Sequence, residues 1–100
     1  MTQPARVLLV RLRSSLPRDE ILRIMRERMP EFRALEGLQQ KYYLEDPESG
    51  EYMGLYLWRS PADLAEFSES DLRASIAAAY GVEGAPRVEV YSVLAALRDE

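Results

Sequence analysis

Seven side chains hold most of the chemistry this sequence can offer: Arg11, Phe32, Lys41, Tyr56, Trp58, Phe67 and Tyr80. Trp58 is either an aromatic wall for a flat ligand or a core residue filling the layer between helices and sheet. Gly54 and Tyr56 alternate onto the same strand face as Trp58. The glycine leaves room there, which suits a cavity, a bulge or a close backbone approach. Arg11 and Arg13 share a face at the end of the first strand. A guanidinium there either orients an enolate or phenolate and lowers its pKa, or pairs with nearby carboxylates. Of the two, Arg11 is expected to point into a pocket. Lys41 is the only lysine. Buried, it titrates low and acts as a base; otherwise its stem packs and its ammonium reaches water or a carboxylate. Tyr42, Tyr43 and Tyr80 can donate hydrogen bonds to a phenolic or keto group. Phe32 and Phe67 either line a pocket mouth or pack in the core.

The residue types that are missing narrow the chemistry further. The sequence has no histidine, no cysteine and no asparagine. Thiolate nucleophiles, disulfides and Cys-based metal sites are excluded, and the usual neutral-pH base and commonest zinc ligand are absent. The acidic residues form no carboxylate pair and no metal-spaced cluster, so no metal site is expected. Gly-rich phosphate loops, catalytic triads and EF-hand loops are also lacking. No catalytic residue follows from spacing alone.

These residues need elements to position them. Arg6 to Arg13, RVLLVRLR, reads as a first strand. Ser14 and Ser15 offer capping hydroxyls, and Pro17 suits a first helical turn. Ile21, Leu22, Met25 and Met29 follow at helical spacing. Pro30 is expected to end or kink that helix, Phe32 and Leu35 to prolong it, and Gly37 to stop it. Leu38 to Glu45 and Tyr52 to Arg59 read as a hairpin around the turn residues Asp46 to Gly50. Ser60-Pro61-Ala62-Asp63 is a strong helix start. Leu64, Phe67, Leu72, Ile76 and Tyr80 give the second helical segment its buried face, with a break at Ser68 to Asp71 and a cap at Gly81. Pro86 introduces a last strand, Arg87 to Leu94. The order βαββαβ predicts an α+β, ferredoxin-like domain over residues 1–100. It should hold a four-stranded antiparallel sheet with two helices on one face.

Several strands are apolar on both faces. Val7 and Leu9 oppose Leu8, Val10 and Leu12; Tyr52, Tyr56 and Trp58 oppose Met53, Leu55 and Leu57. Two helices cover one face only, so the other is expected to meet a second copy, giving a homodimer packed sheet to sheet. A net charge of −4 and a pI near 4.9 argue against nucleic acid as a partner. No apolar run reaches the roughly 20 residues a membrane span needs. MTQPARVLLV lacks the marks of a signal peptide, so cytoplasmic residence is expected.

The residues Leu16-Pro17, Glu31-Phe32-Arg33, Gly37-Leu38, Lys41, the Asp46 to Gly50 turn, Gly54-Leu55-Tyr56-Leu57-Trp58, Tyr80-Gly81, Pro86 and Val88 resemble a known pattern. It is that of the dimeric α+β-barrel superfamily. The chain is most similar to its small stand-alone mono-oxygenases of the YdhR-like and antibiotic-biosynthesis types. The resemblance implies a dimeric barrel with a pocket between helices and sheet in each protomer. It also implies a cofactor-free mono-oxygenase acting on a small aromatic or quinol-like substrate that supplies its own electrons. The familiar asparagine, tryptophan and histidine set of such oxygenases is matched here by Trp58 alone. That departure supports a second reading, a non-catalytic dimeric small-molecule binder or stress-related accessory protein.

Overall fold

The aliphatic run within Arg6–Leu12 forms β1, the strand on which everything else is laid. The computed structural model describes residues 3–98, so the first two residues of the N-terminal stretch lie outside the described part. The order is β1, α1 (Arg18–Arg33), β2 (Leu38–Glu45), β3 (Tyr52–Trp58), α2 (Pro61–Ser68), α3 (Asp71–Ala74), α4 (Ile76–Ala79) and β4 (Arg87–Ser92). The four strands form one antiparallel sheet in the order β2-β3-β1-β4. This is the ferredoxin-like α+β arrangement expected from the sequence, with the second helix broken into three short pieces. No helix among the described residues is long and apolar enough to cross a membrane.

Local chemistry differs from the sequence reading in two places. Ser14 and Ser15 do not cap α1; Pro17 occupies the cap position, without a side-chain bond. Ser14 instead ties two loops together. Its hydroxyl donates to the Tyr80 carbonyl at 2.5 Å and accepts from the Leu16 amide at 3.0 Å. Pro30 sits inside α1, and the helix runs on through Phe32 to Arg33, the prolongation expected from the sequence. Gly37 is not a left-handed cap, since positive φ among the described residues is confined to Gly50, Gly81 and Gly84. Gly37 is needed because a Cβ there would collide with the Asp63 side chain. The Ser60 cap forms as expected, its hydroxyl accepting from the Asp63 amide at 3.1 Å. Gly81, at φ 57°, follows α4 as the expected cap.

Leu8, Val10 and Leu12 of β1 and Tyr56 and Trp58 of β3 are buried under the helices, against Ile21 and Phe32 of α1, Leu64 and Phe67 of α2, and Ile76 and Tyr80. The opposite face carries Val7, Leu9 and Arg11 of β1 in register with Met53, Leu55 and Leu57 of β3. Tyr42 and Leu44 of β2 and Tyr91 of β4 extend that face and are exposed.

Candidate functional site

The four helix-facing positions of β3 are Tyr52, Gly54, Tyr56 and Trp58, and their sizes divide the space under the helices in two. At the Trp58 end, rings fill it. Trp58 stacks on Tyr56 with ring centres 6.1 Å apart and planes 5° from parallel. Phe67 lies 5.1 Å from Trp58 and 5.3 Å from Tyr56, and Phe32 lies 6.1 Å from Tyr56. At the Gly54 end a cavity of about 200 Å³ remains. Its walls include Val10 and Leu12 of β1, Ile21 and Met25 of α1, Tyr43 of β2, Tyr52, Gly54 and Tyr56 of β3, Ile76 and Tyr80. The lining is mostly apolar, with tyrosine hydroxyls and one amine, that of Lys41. Arg18 and Glu45 also line it and pair with each other at 3.3 Å.

Lys41 reaches this place through the irregularity in β2. The pairing slips between Leu38 and Gln40, which puts Lys41 opposite Tyr56 and Tyr43 opposite Gly54, on the helix-facing side. Gly54 then lets the lysine stem lie across β3: a Cβ at that position would stand 3.2 Å from Lys41 Cε and 2.9 Å from the Tyr56 ring. The ammonium rests 3.5 Å from the centre of the Phe32 ring and 4.4 Å from those of Tyr43 and Tyr56. Among the described residues it forms no ion pair.

Burial, reinforced by the Arg28 charge, pushes the Lys41 ammonium down to about 7. The three ring faces act the other way, because each attracts a cation. Burial pushes the neighbouring phenols up: Tyr43 rises against the opposing charges of Arg33 and Arg28, Tyr80 reaches about 12, and Tyr56 goes higher still. At neutral pH these tyrosines are hydrogen-bond donors. The lysine amine is the group beside them that can take up a proton.

Of the seven residues singled out in the sequence, the fold brings Lys41, Tyr56 and Tyr80 to the cavity. Phe32 stands behind Lys41 and lines, with Lys41 and Tyr43, a second hollow of about 480 Å³. Trp58 and Phe67 do not line the cavity; they are core residues, each under 4% exposed. The Trp58 indole N–H has no acceptor among the described residues. Arg11 is on the other side of the sheet. It shares the face of Val7 and Leu9 and bonds Asp46 at 3.4 Å and Glu51 at 3.2 Å. The carboxylate-pairing alternative thus holds for Arg11 and the pocket placement does not, since both faces of β1 are apolar and only the packing of α1 decides between them.

Arg28 was missed. Its guanidinium lies 5.8 Å from the Phe32 ring centre and 5.9 Å from that of Tyr80, and donates to Ser75 Oγ at 2.8 Å. In the sequence it is one arginine among several on a charged helix. Its place three residues after Met25 and four before Phe32 was the available signal. Among the described residues no three His, Cys, Asp or Glu side chains cluster so as to hold a metal ion.

Neither the family models nor the curated proteins compared with the sequence match it. Solved structures do match. A protein of unknown function from Nitrosomonas europaea, NE2512, superposes with a TM-score of 0.77 at 18% identity, over 100% of this chain and 99% of that one. SnoaB, a cofactor-independent oxygenase from Streptomyces nogalater, gives 0.75 at 10% identity, over 96% and 99%. A candidate antibiotic biosynthesis monooxygenase from Caulobacter crescentus gives 0.74 at 18% identity, over 94% and 93%. The chain shares the fold of the antibiotic-biosynthesis-monooxygenase-like proteins along nearly its whole length.

Proposed function

We propose that this protein is a cofactor-independent mono-oxygenase of small phenolic or quinol-like aromatics, working as a homodimer. One observation supports the reading most. A largely apolar cavity with phenolic donors and a lone amine sits between helices and sheet, in a fold shared with a cofactor-independent oxygenase. The size of the cavity narrows the substrate. An apolar cavity of about 150 Å³ admits benzene, and drug-sized ligands need about 300 Å³ or more. At about 200 Å³ this one suits a single substituted ring better than the fused rings of an anthrone.

Such a substrate balances the reaction by itself. A hydroquinone and O2 give a hydroxyquinone and water; one oxygen atom enters the ring and the substrate supplies all four electrons. The protein's part is to exclude water, hold the ring between Tyr56 and the helices, and donate hydrogen bonds from Tyr43 and Tyr80 to substrate oxygens. Oxygen uptake by the purified protein with substituted hydroquinones tests this. Uptake that saturates with substrate is the expected result; saturable binding without uptake would leave the binding-module reading in its place.

The homodimer rests on the uncovered face of the sheet. Val7, Leu9, Leu55 and Leu57 are only half-buried there, and Tyr42, Leu44 and Tyr91 are exposed. Light scattering should return about twice the chain mass of 11.5 kDa. A Leu55→Glu change, placing a charge at the centre of that face, should return one chain mass. A wild-type mass of one chain would sink the proposal.

A further inference from the structure

The side chain that this fold holds most oddly is Lys41. A lysine at half-buried depth ordinarily snorkels to water or meets a carboxylate. This one meets no carboxylate among the described residues and rests among aromatic rings instead. The β2 irregularity turns it inward, the missing side chain at Gly54 accommodates its stem, and Phe32, Tyr43 and Tyr56 surround its nitrogen. The groups that face it are few. From α1 come Phe32 and the cations Arg28 and Arg33; from β2, Tyr43; from β3, Tyr56; beyond α4, Tyr80. β1 presents only Val10 and Leu12 to the cavity. The carboxylate in the cavity lining, Glu45, is already paired with Arg18 at 3.3 Å, so the unpaired charges beside Lys41 are positive and no anion among the described lining residues is free to balance them.

We propose that Lys41 is the base and counter-ion of the cavity, taking the proton of a bound phenol or enol and then holding the oxyanion. The lone pair of the ε-amine accepts the O–H proton. The O–H bonding electrons stay on the substrate oxygen, and an ammonium–phenolate pair remains. No electron leaves in this step. Its use to an oxygenase is that a phenolate gives up electrons to O2 more readily than a phenol. The catalytic half of the inference thus rests on the oxygenase reading, whereas the binding half does not. Tyr56 and Tyr80, which keep their protons at neutral pH, are placed to donate to the same oxyanion.

The test separates the two halves. The probe is 4-cyanophenol, a single-ring phenol mostly neutral in water at about pH 7, whose phenolate absorbs at longer wavelength. With wild-type protein the phenolate band should grow saturably. In Lys41→Met, shown to be folded by circular dichroism, it should fall by at least about tenfold, or ~1.4 kcal/mol. Lys41→Arg keeps the charge but cannot take up a proton. It should retain the band yet lose about a hundredfold or more in oxygen uptake with a hydroquinone.

An equal band in Lys41→Met, or no saturable binding to wild type, overturns the proposal. So does full uptake in Lys41→Arg. A lysine-dependent band with no uptake from wild type sustains the anion site and overturns the oxygenase reading. Uptake that is indifferent to both substitutions sustains the oxygenase reading and overturns the catalytic half of the proposal.

Discussion

The two ends of the layer beneath the helices are built from the same strand, yet one is solid and the other hollow. At the Trp58 end, Trp58, Tyr56, Phe67 and Phe32 interlock with ring centres 5.1 to 6.2 Å apart, and all four are buried. At the other end, Gly54 sits four residues back on the same face and a cavity of about 200 Å³ remains. The contrast teaches that stability and site chemistry are separable here. Large rings fill the layer between α1, α2 and the sheet at one end, while Gly54 leaves the other end unfilled.

The sharpest way to break the comparison is to hollow out the solid end. Phe67→Ala removes a ring that touches Trp58, Tyr56 and Phe32. It should cost about 3–5 kcal/mol, a large share of the roughly 5–15 kcal/mol that holds a domain of this size. Urea denaturation would show it as a drop in midpoint with little change in slope. A loss below about 1 kcal/mol would mean that the rings are not what fixes the helices.

Emptying the hollow end of its charge should act in the opposite direction. With its ammonium pushed down to about 7 from an ordinary value of 10.5, folded Lys41 releases its proton before the unfolded chain does. Between those two values the unfolded state binds more protons, so the lysine's cost to stability shrinks as pH rises and is greatest below about 7. Lys41→Met should stabilise the protein by about 2 kcal/mol near pH 6, with the ring faces already discounted, and the gain should fade toward pH 10. A gain that does not vary with pH would show that the lysine stays protonated throughout. Gly54→Ala acts on the same end by volume. Its Cβ would crowd the Tyr56 ring and Lys41 Cε, so phenol affinity should fall about tenfold, ~1.4 kcal/mol by titration, with stability changed by less.

Most of this architecture is legible in the sequence because alternation and turn chemistry are local. The Ser60 cap, the Gly81 stop, the Asp46 to Gly50 turn and the pairing of Tyr56 with Trp58 on one face all follow from neighbours within a few residues. Gly54 also reads correctly as the place where room is left. What fails to read is long-range. The face of Arg11 is one such case: β1 is apolar on both sides, so alternation alone cannot say which side the helices take. The inward turn of Lys41 and Tyr43 depends on the slip between Leu38 and Gln40, and one residue of slip exchanges the two faces of the rest of the strand. Arg28 is hidden for another reason. Its role comes from lying between Phe32 and Tyr80, which the fold brings together from α1 and the end of α4.

The mildest test asks whether the solid end is assembled from its caps as well as its rings. Ser60 accepts from the Asp63 amide at 3.1 Å and donates to Asp63 Oδ2 at 2.7 Å, fixing the first turn of α2. Those bonds, with help from Arg59, hold the Asp63 carboxyl below the usual carboxylate range. They also hold Asp63 where it closes over Gly37 at the start of β2. Ser60→Ala should therefore cost about 1 kcal/mol, as loss of an N-cap does, read as a lower denaturation midpoint. Because α2 carries Leu64 and Phe67 into the solid end and lines no part of the cavity, phenol binding to the folded variant should change less than twofold. If binding fell as far as it does in Gly54→Ala, the two ends would be coupled through the helix angle. The hollow would then depend on the cap of a helix that never touches it.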